Sequence, residues 1–199
     1  MLRRVWQSLA LSMLALGMAG CAALRPQPAP GIIPEDLSEL HYWEASGRIG
    51  VAGPDNGGSG SFEWRQRDDR ADVRIRGPVG IGSVRLQVAG DVDNPSMQLE
   101  TGNGAMLESQ AAWDELEARL GATLPAGSLR FWMLGVAAPG EHRWLATAQP
   151  GEKTLEQAGW RIAYQRYSDA PGANVPVRIN ATNGDTRVRI VVDRWRLGE

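Results

Sequence analysis

Apolar residues recur at every second position through most of this chain, a period that fits a pleated strand with one buried face rather than a helix. Phe62 and Trp64 alternate with Glu63 and Arg65, Val73 and Ile75 with Asp72, Arg74 and Arg76, and Val84, Leu86 and Val88 with Ser83, Arg85 and Gln87. The pattern returns near the C-terminus. There Val175, Val177 and Ile179 alternate with Pro176, Arg178 and Asn180, and Val188, Ile190 and Val192 alternate with Arg187, Arg189 and Asp193. Strands of this kind pair antiparallel, bury one face and wet the other.

Turn chemistry separates the strands: residues 54–60 (PDNGGSG), 67–70 (RDDR), 90–95 (GDVDNP), 101–104 (TGNG) and 182–185 (TNGD) carry the Gly, Asn and Asp that hairpins need. Two stretches break the period. Residues 110–120 set Trp113, Leu116 and Leu120 at helical spacing and stop at Gly121, and residues 127–134 gather Leu129, Trp132 and Met133 before Gly135. The expected architecture is mainly β with short helices: about eleven antiparallel strands in an unclosed, curled barrel, with a helical lid over its apolar face. An open sheet this long curls or splits, and its apolar face then either packs on itself or encloses a cavity. The alternation alone leaves both open.

The N-terminus has a different character. Arg3 and Arg4 precede an apolar run over residues 9–18 that is too short to span a bilayer, followed by Ala19, Gly20 and Cys21, the only cysteine. This resembles the precursor of a bacterial lipoprotein, although Met18 stands where such signals usually carry Leu, Val or Ile. Residues 1–20 are then a lipoprotein signal peptide, Cys21 is the lipid-attachment site, and residues 21–34 are a lipidated N-terminus with a Pro-rich tether. Ala22 is not the aspartate associated with inner-membrane retention, so the expected location is the periplasmic face of the outer membrane. Residues 35–199 suit a single domain. At its start, residues 35–43 place Leu37, Leu40 and either His41 or Trp43 on one side at helical spacing, predicting a short amphipathic helix.

Several function classes find no support. Once Arg3 and Arg4 are removed with the signal, acidic side chains outnumber basic ones by more than in the full sequence, whose formal charge is −2. The remaining arginines are interleaved with apolar residues, so no phosphate-binding stripe for nucleic acid is present. No GxxxxGK[ST] occurs, and Gly57-Gly58-Ser59-Gly60 reads as a polar hairpin loop. With two histidines, His41 and His142, and one cysteine assigned to the anchor, neither a metal set nor a Cys–His pair can be built. The acidic pairs Asp68-Asp69 and Asp91 with Asp93 fall in turns, where solvation explains them. No enzyme and no cofactor are expected.

The succession WEASGRIGV, SGSFEWRQ, GPVG, LGATLPAGSLRFWMLG, QAGWRIAYQRY, VPVRI and RIVVDRW resembles the LolB family of outer-membrane lipoprotein receptors, over about residues 43–195. Its most specific block is Leu124, Pro125, Leu129, Phe131, Trp132, Leu134 and Gly135, followed by Gln157, Gly159, Trp160 and Tyr164. The resemblance implies an unclosed barrel with a helical lid and a hydrophobic cavity for lipoprotein acyl chains. It also implies that the protein accepts this cargo from the periplasmic carrier LolA and inserts it into the outer membrane, acting as a monomer.

Together with the alternation, the resemblance nominates Phe62, Trp64, Val73, Ile75, Val84 and Leu86 as cavity lining, and with them Leu99, Trp132, Ile162, Tyr164, Ile190 and Val192. The loop Gly77, Pro78, Val79, Gly80 and Ile81 has no charged or hydrogen-bonding side chain, so its tip either folds back onto the sheet or is meant for an apolar surface. By resemblance, Val79 matches the apolar residue of a protruding, membrane-contacting loop, although the family more often has leucine there. A carrier of another lipid, or a purely structural outer-membrane lipoprotein with a filled core, would share this composition.

Overall fold

Eleven strands form one antiparallel sheet: β1 (Tyr42–Ala52), β2 (Gly57–Arg67), β3 (Arg70–Arg76), β4 (Ser83–Ala89), β5 (Ser96–Thr101), β6 (Met106–Glu108), β7 (His142–Leu145), β8 (Lys153–Gln157), β9 (Trp160–Tyr167), β10 (Pro176–Asn183) and β11 (Thr186–Leu197). They lie in the order β6-β5-β4-β3-β2-β1-β11-β10-β9-β8-β7. The computed structural model describes residues 33, 35–54, 57–77, 83–120, 123–147, 151–168 and 174–198. The expected signal, Cys21, the tether apart from Ile33, and loop residues 78–82 lie outside them.

This order explains the overall design. Each hairpin adds a strand outward, β1 to β6 on one wing and β11 back to β7 on the other, and the first and last strands close the middle. The connection from β6 to β7 must therefore join the two free edges of an unclosed sheet, and it carries both helices, α1 (Ser109–Leu120) and α2 (Ala126–Leu134). A link between opposite edges crosses the concave face. Hence α2 is buried on most sides, with Phe131, Trp132, Met133 and Leu134 all in the core. It stops at Gly135, which takes a left-handed φ of 78° and donates its N–H to the Trp132 carbonyl.

Two expectations change. Residues 35–43 do not form a helix: a single 3₁₀ turn covers Leu37–Glu39, its first N–H groups capped by Asp36, whose carboxylate accepts from the Ser38 N–H at 2.8 Å. Trp43 belongs to β1, where pairing with both β2 and β11 buries it between Trp64 and Trp195, ring centroids 5.3 and 5.4 Å away. Burying an indole between two others outweighs the weak helical preference of a short segment. The glycine run at 57–60 is likewise not a loop; it pairs as the first part of β2, opposite residues 49–52. A second glycine position is dictated by close approach: opposite the bulge that Asp193 makes in β11, a Cβ on Gly47 would collide with the Val191 carbonyl oxygen.

The outward face explains the interleaved charges. Arg85 grips Asp72 across β3 and β4 through two hydrogen bonds of 3.1 and 2.5 Å, Arg76 bonds Glu63 at 2.8 Å, and Arg48 bonds Asp193 at 3.1 Å. Glu156 accepts from both Arg143 and Arg161. Such cross-strand pairs each contribute little when exposed, but they fix register on a wet face. The Arg85 hydrogen bonds, and then the attraction of its charge, hold the Asp72 carboxyl below its ordinary range. A carboxyl depressed on folding stabilises the protein fully above its unfolded value near 4, and that stabilisation is lost as pH falls through the folded value. The urea midpoint of the native protein is therefore expected to fall more steeply between about pH 5 and 3 than that of Asp72→Asn; parallel curves would show that the pair adds nothing.

Candidate functional site

The concave face of the sheet encloses a cavity of about 640 Å³, lined from β1 to β5, from β9 to β11 and by both helices. That is within the range of roughly 300–1,000 Å³ for ligand clefts. Its walls follow from the alternation. Inward side chains of adjacent strands stand opposite one another in register, as in Phe62 against Ile75, Val73 against Leu86, and Leu86 against Leu99. Ile162 is placed by β9 and Trp132 by α2.

Of the residues nominated from the sequence, Phe62, Trp64, Val73, Ile75, Val84, Leu86, Leu99, Trp132, Ile162 and Ile190 line the cavity. Tyr164 and Val192 do not. Tyr164 lies further along β9, beneath Gly135 at the end of α2 and against the Trp144 ring 6.1 Å away, so the lid's own C-terminus separates it from the void. Burial there pushes its phenol well above the ordinary value, so it stays neutral. Val192 sits opposite Gly47 at the bulge and is used up in core packing. Lining residues that the sequence reading passed over include Ile49, Val51, Met97, Leu116, Leu129 and Trp160. Ile49 and Val51 do continue the inward set of β1, but Gly47 interrupts the apolar period just before them and hides the signal.

The two ends of this cavity differ. Where β1 begins and β11 ends, α2 crosses as a plug: Gly127 abuts the Val92 carbonyl in the β4–β5 connection, Arg130 Nη1 donates to the Asp68 carbonyl in the β2–β3 turn at 2.9 Å, and Gly135 abuts Pro176 of β10. The polar lining gathers here. Gln66, itself buried, accepts from Trp64 Nε1 at 3.0 Å and donates to the Asp68 carbonyl at 2.8 Å, and Asp69, Glu115 and Arg130 are nearby members of the wall. At the opposite end, that of the 53–56, 77–82 and 184–185 connections, the lining includes Ile49, Val51, Ile75, Ala181, Val188 and Ile190, all half-buried, together with the buried Val84, paired with Ile75, and Trp160 at the start of β9. Trp64, Val73, Leu86 and Leu99 in the middle are buried.

The lid is fastened by a polar residue that no period reveals. Gln157, buried at the end of β8, accepts from Trp132 Nε1 at 2.9 Å and from the Ala138 N–H at 3.0 Å, and donates to the Ala138 carbonyl at 2.8 Å. Trp160 Nε1 donates to the Thr123 carbonyl at 3.1 Å, holding the segment between the helices to β9. Among the described residues no group of three His, Cys, Asp or Glu side chains comes together to hold a metal ion. The cavity is therefore lined mainly by apolar side chains and crossed by α2 at one end.

Relatives are consistent with that geometry. The outer-membrane lipoprotein LolB of Stutzerimonas stutzeri is 33% identical over 193 residues, 92% of each chain, and that of Pseudomonas fluorescens is 34% identical over 195 residues, again 92% of each. A crystal structure of a DUF1329 family protein from Desulfovibrio piger shares the fold with a TM-score of 0.53 at 7% identity, covering 80% of this chain and 86% of that one. The family model described as outer membrane lipoprotein LolB matches residues 41–195, which takes in both helices and all of the sheet but the last two residues of β11, and the chain therefore belongs to the LolB family of outer-membrane lipoproteins.

Proposed function

We propose that this outer-membrane lipoprotein accepts acylated lipoproteins from the periplasmic carrier LolA into the cavity and passes them to the outer membrane, with no bond made or broken. The observation that carries this reading is the apolar void beneath the helices, in a family that is not one of enzymes. Acyl chains gain about 0.8 kcal/mol per buried methylene, so cargo cannot cross an aqueous space unshielded, and a more apolar acceptor draws it onward without an energy source. In this reading Cys21 carries the lipid anchor, residues 21–34 are the tether, and Gly77, Pro78, Val79, Gly80 and Ile81 form the loop that touches the membrane.

The test uses the full chain with Cys21→Ala, exported through a cleavable signal, so that binding is measured without the anchor. It is expected to take a fluorescent triacylated peptide from loaded LolA in solution, and solvent extraction of the purified protein is expected to yield acylated protein. Recovery of free phospholipid or polyisoprenoid instead, with no uptake of the peptide, would identify a carrier of another lipid.

A further inference from the structure

Among the described residues, the polar side chains in the cavity wall are Gln66, Asp69, Glu115 and Arg130, and they gather at the end crossed by α2. One carbonyl positions two of them. The Asp68 oxygen accepts from Gln66 Nε2 at 2.8 Å and from Arg130 Nη1 at 2.9 Å, and the Arg130 guanidinium also lies over the Phe131 ring, 4.5 Å from its centroid. Asp69 in the β2–β3 turn and Gly90 after β4 line the void and are exposed, so the void reaches solvent along a seam beside α2.

A census of donors singles out this end. Besides Gln66 and Arg130, the side chains of the wall that donate hydrogen bonds are three indoles, Trp64, Trp132 and Trp160, and all three are committed: Trp64 Nε1 to Gln66 Oε1, Trp132 Nε1 to Gln157 Oε1 and Trp160 Nε1 to the Thr123 carbonyl. The donors left over are the second N–H of the Gln66 amide and most of the Arg130 guanidinium, which forms no ion pair among the described residues.

We propose that this end of the cavity is a subsite for the ester and amide head of the acylated cysteine that a lipoprotein carries, its carbonyl oxygens accepting from Arg130 and Gln66 while the acyl tails lie toward the aliphatic end and the adjoining peptide leaves by the seam. It rests on the reading of the cavity as the acyl-chain site. Carbonyl groups drawn out of water together with the tails need donors. A head at the aliphatic end would find only Trp160, whose N–H is taken. Arg130 and Gln66 are held by the Asp68 carbonyl before a ligand arrives, so little side-chain freedom is lost on binding. The seam also discriminates between heads. With Asp69 and Glu115 against Arg130, its charge is negative on balance, which suits an uncharged amide and ester head and opposes a phosphate.

The experiment titrates the full chain carrying Cys21→Ala with a triacylated peptide, with the headless hydrocarbon diphenylhexatriene, and with short-chain phosphatidylglycerol below its micellar concentration. Arg130→Met keeps an apolar stem and removes the donors, so it should lower peptide affinity about tenfold more than hydrocarbon affinity. Arg130→Lys, which restores a charged donor, should recover part of that loss. Asp69→Asn, at an exposed turn position, removes one negative charge and should narrow the preference for peptide over phosphatidylglycerol severalfold. Unaltered melting temperatures verify folding. Equal losses of peptide and hydrocarbon in Arg130→Met would make Arg130 a fastening of α2 alone and overturn the head subsite, as would undiminished peptide binding. An unchanged preference in Asp69→Asn would overturn the discrimination between heads. If the unsubstituted seam binds neither peptide nor hydrocarbon, the cavity reading falls instead.

Discussion

Leu86→Trp is expected to weaken binding of a triacylated peptide about a hundredfold while leaving the protein folded. Leu86 is buried in the middle of the wall, paired with Val73 on one side and Leu99 on the other, and all three face the void. A larger side chain there can enter empty space instead of displacing packed neighbours. An indole in place of isobutyl displaces roughly three to four methylenes of ligand, each worth about 0.8 kcal/mol, or about 3 kcal/mol in total. Filling a void is also neutral to stabilising for the fold. Fluorescence titration with the peptide and urea unfolding, run on the same preparation, separate the two effects. Undiminished affinity in a folded Leu86→Trp protein would place the acyl site elsewhere.

Gln157→Ala should have the largest effect on stability of any single polar substitution considered, a loss of about 3–9 kcal/mol. It removes the partner of three groups at once, Trp132 Nε1–H, the Ala138 N–H and the Ala138 carbonyl, all in a buried setting. Each buried group left unpaired costs about 1–3 kcal/mol. Against a typical domain stability of about 5–15 kcal/mol, that is enough to leave the lid detached or the chain largely unfolded at moderate temperature. Gln157→Glu keeps an acceptor for both donors but loses the donor to Ala138 and buries a charge, so it should not rescue. Urea unfolding followed by tryptophan fluorescence reports both events, since Trp132 leaves the core with the lid. A loss below about 1 kcal/mol would mean that water takes over all three hydrogen bonds.

The alternation over residues 62–88 and 175–192 is visible without a structure because a half-buried strand imposes its period on consecutive residues. The same holds for the two helices, which begin and end within a residue of where Leu116, Trp132 and Gly135 place them. Most of the nominated cavity wall was legible for that reason too: inward residues of strands in a curled sheet must share a concave side. Tyr164 and Val192 obey the same period, yet the lid's C-terminus covers one and packing against Gly47 beside the β11 bulge takes up the other. Periodicity says which face a side chain is on, not how far along the barrel the void extends.

Residues 42–43 read as the end of a helix until β11 arrives to pair with them from the far end of the chain, joining Trp43 to Trp195. Gln157 looks like any surface glutamine until the β6–β7 connection brings Trp132 and Ala138 against it. Sequence by itself therefore determined the class of strand, the hairpin order, the helical insert and the apolar character of the inner face, all of which depend on residues near one another in the chain. Tertiary structure alone decided that the inner face encloses a void, that α2 blocks one end and that the aliphatic rim is left half-exposed at the other. Those outcomes depend on the pairing of β1 with β11 and on the path of the link between the two free edges, contacts between residues too distant in the chain for any local period to record.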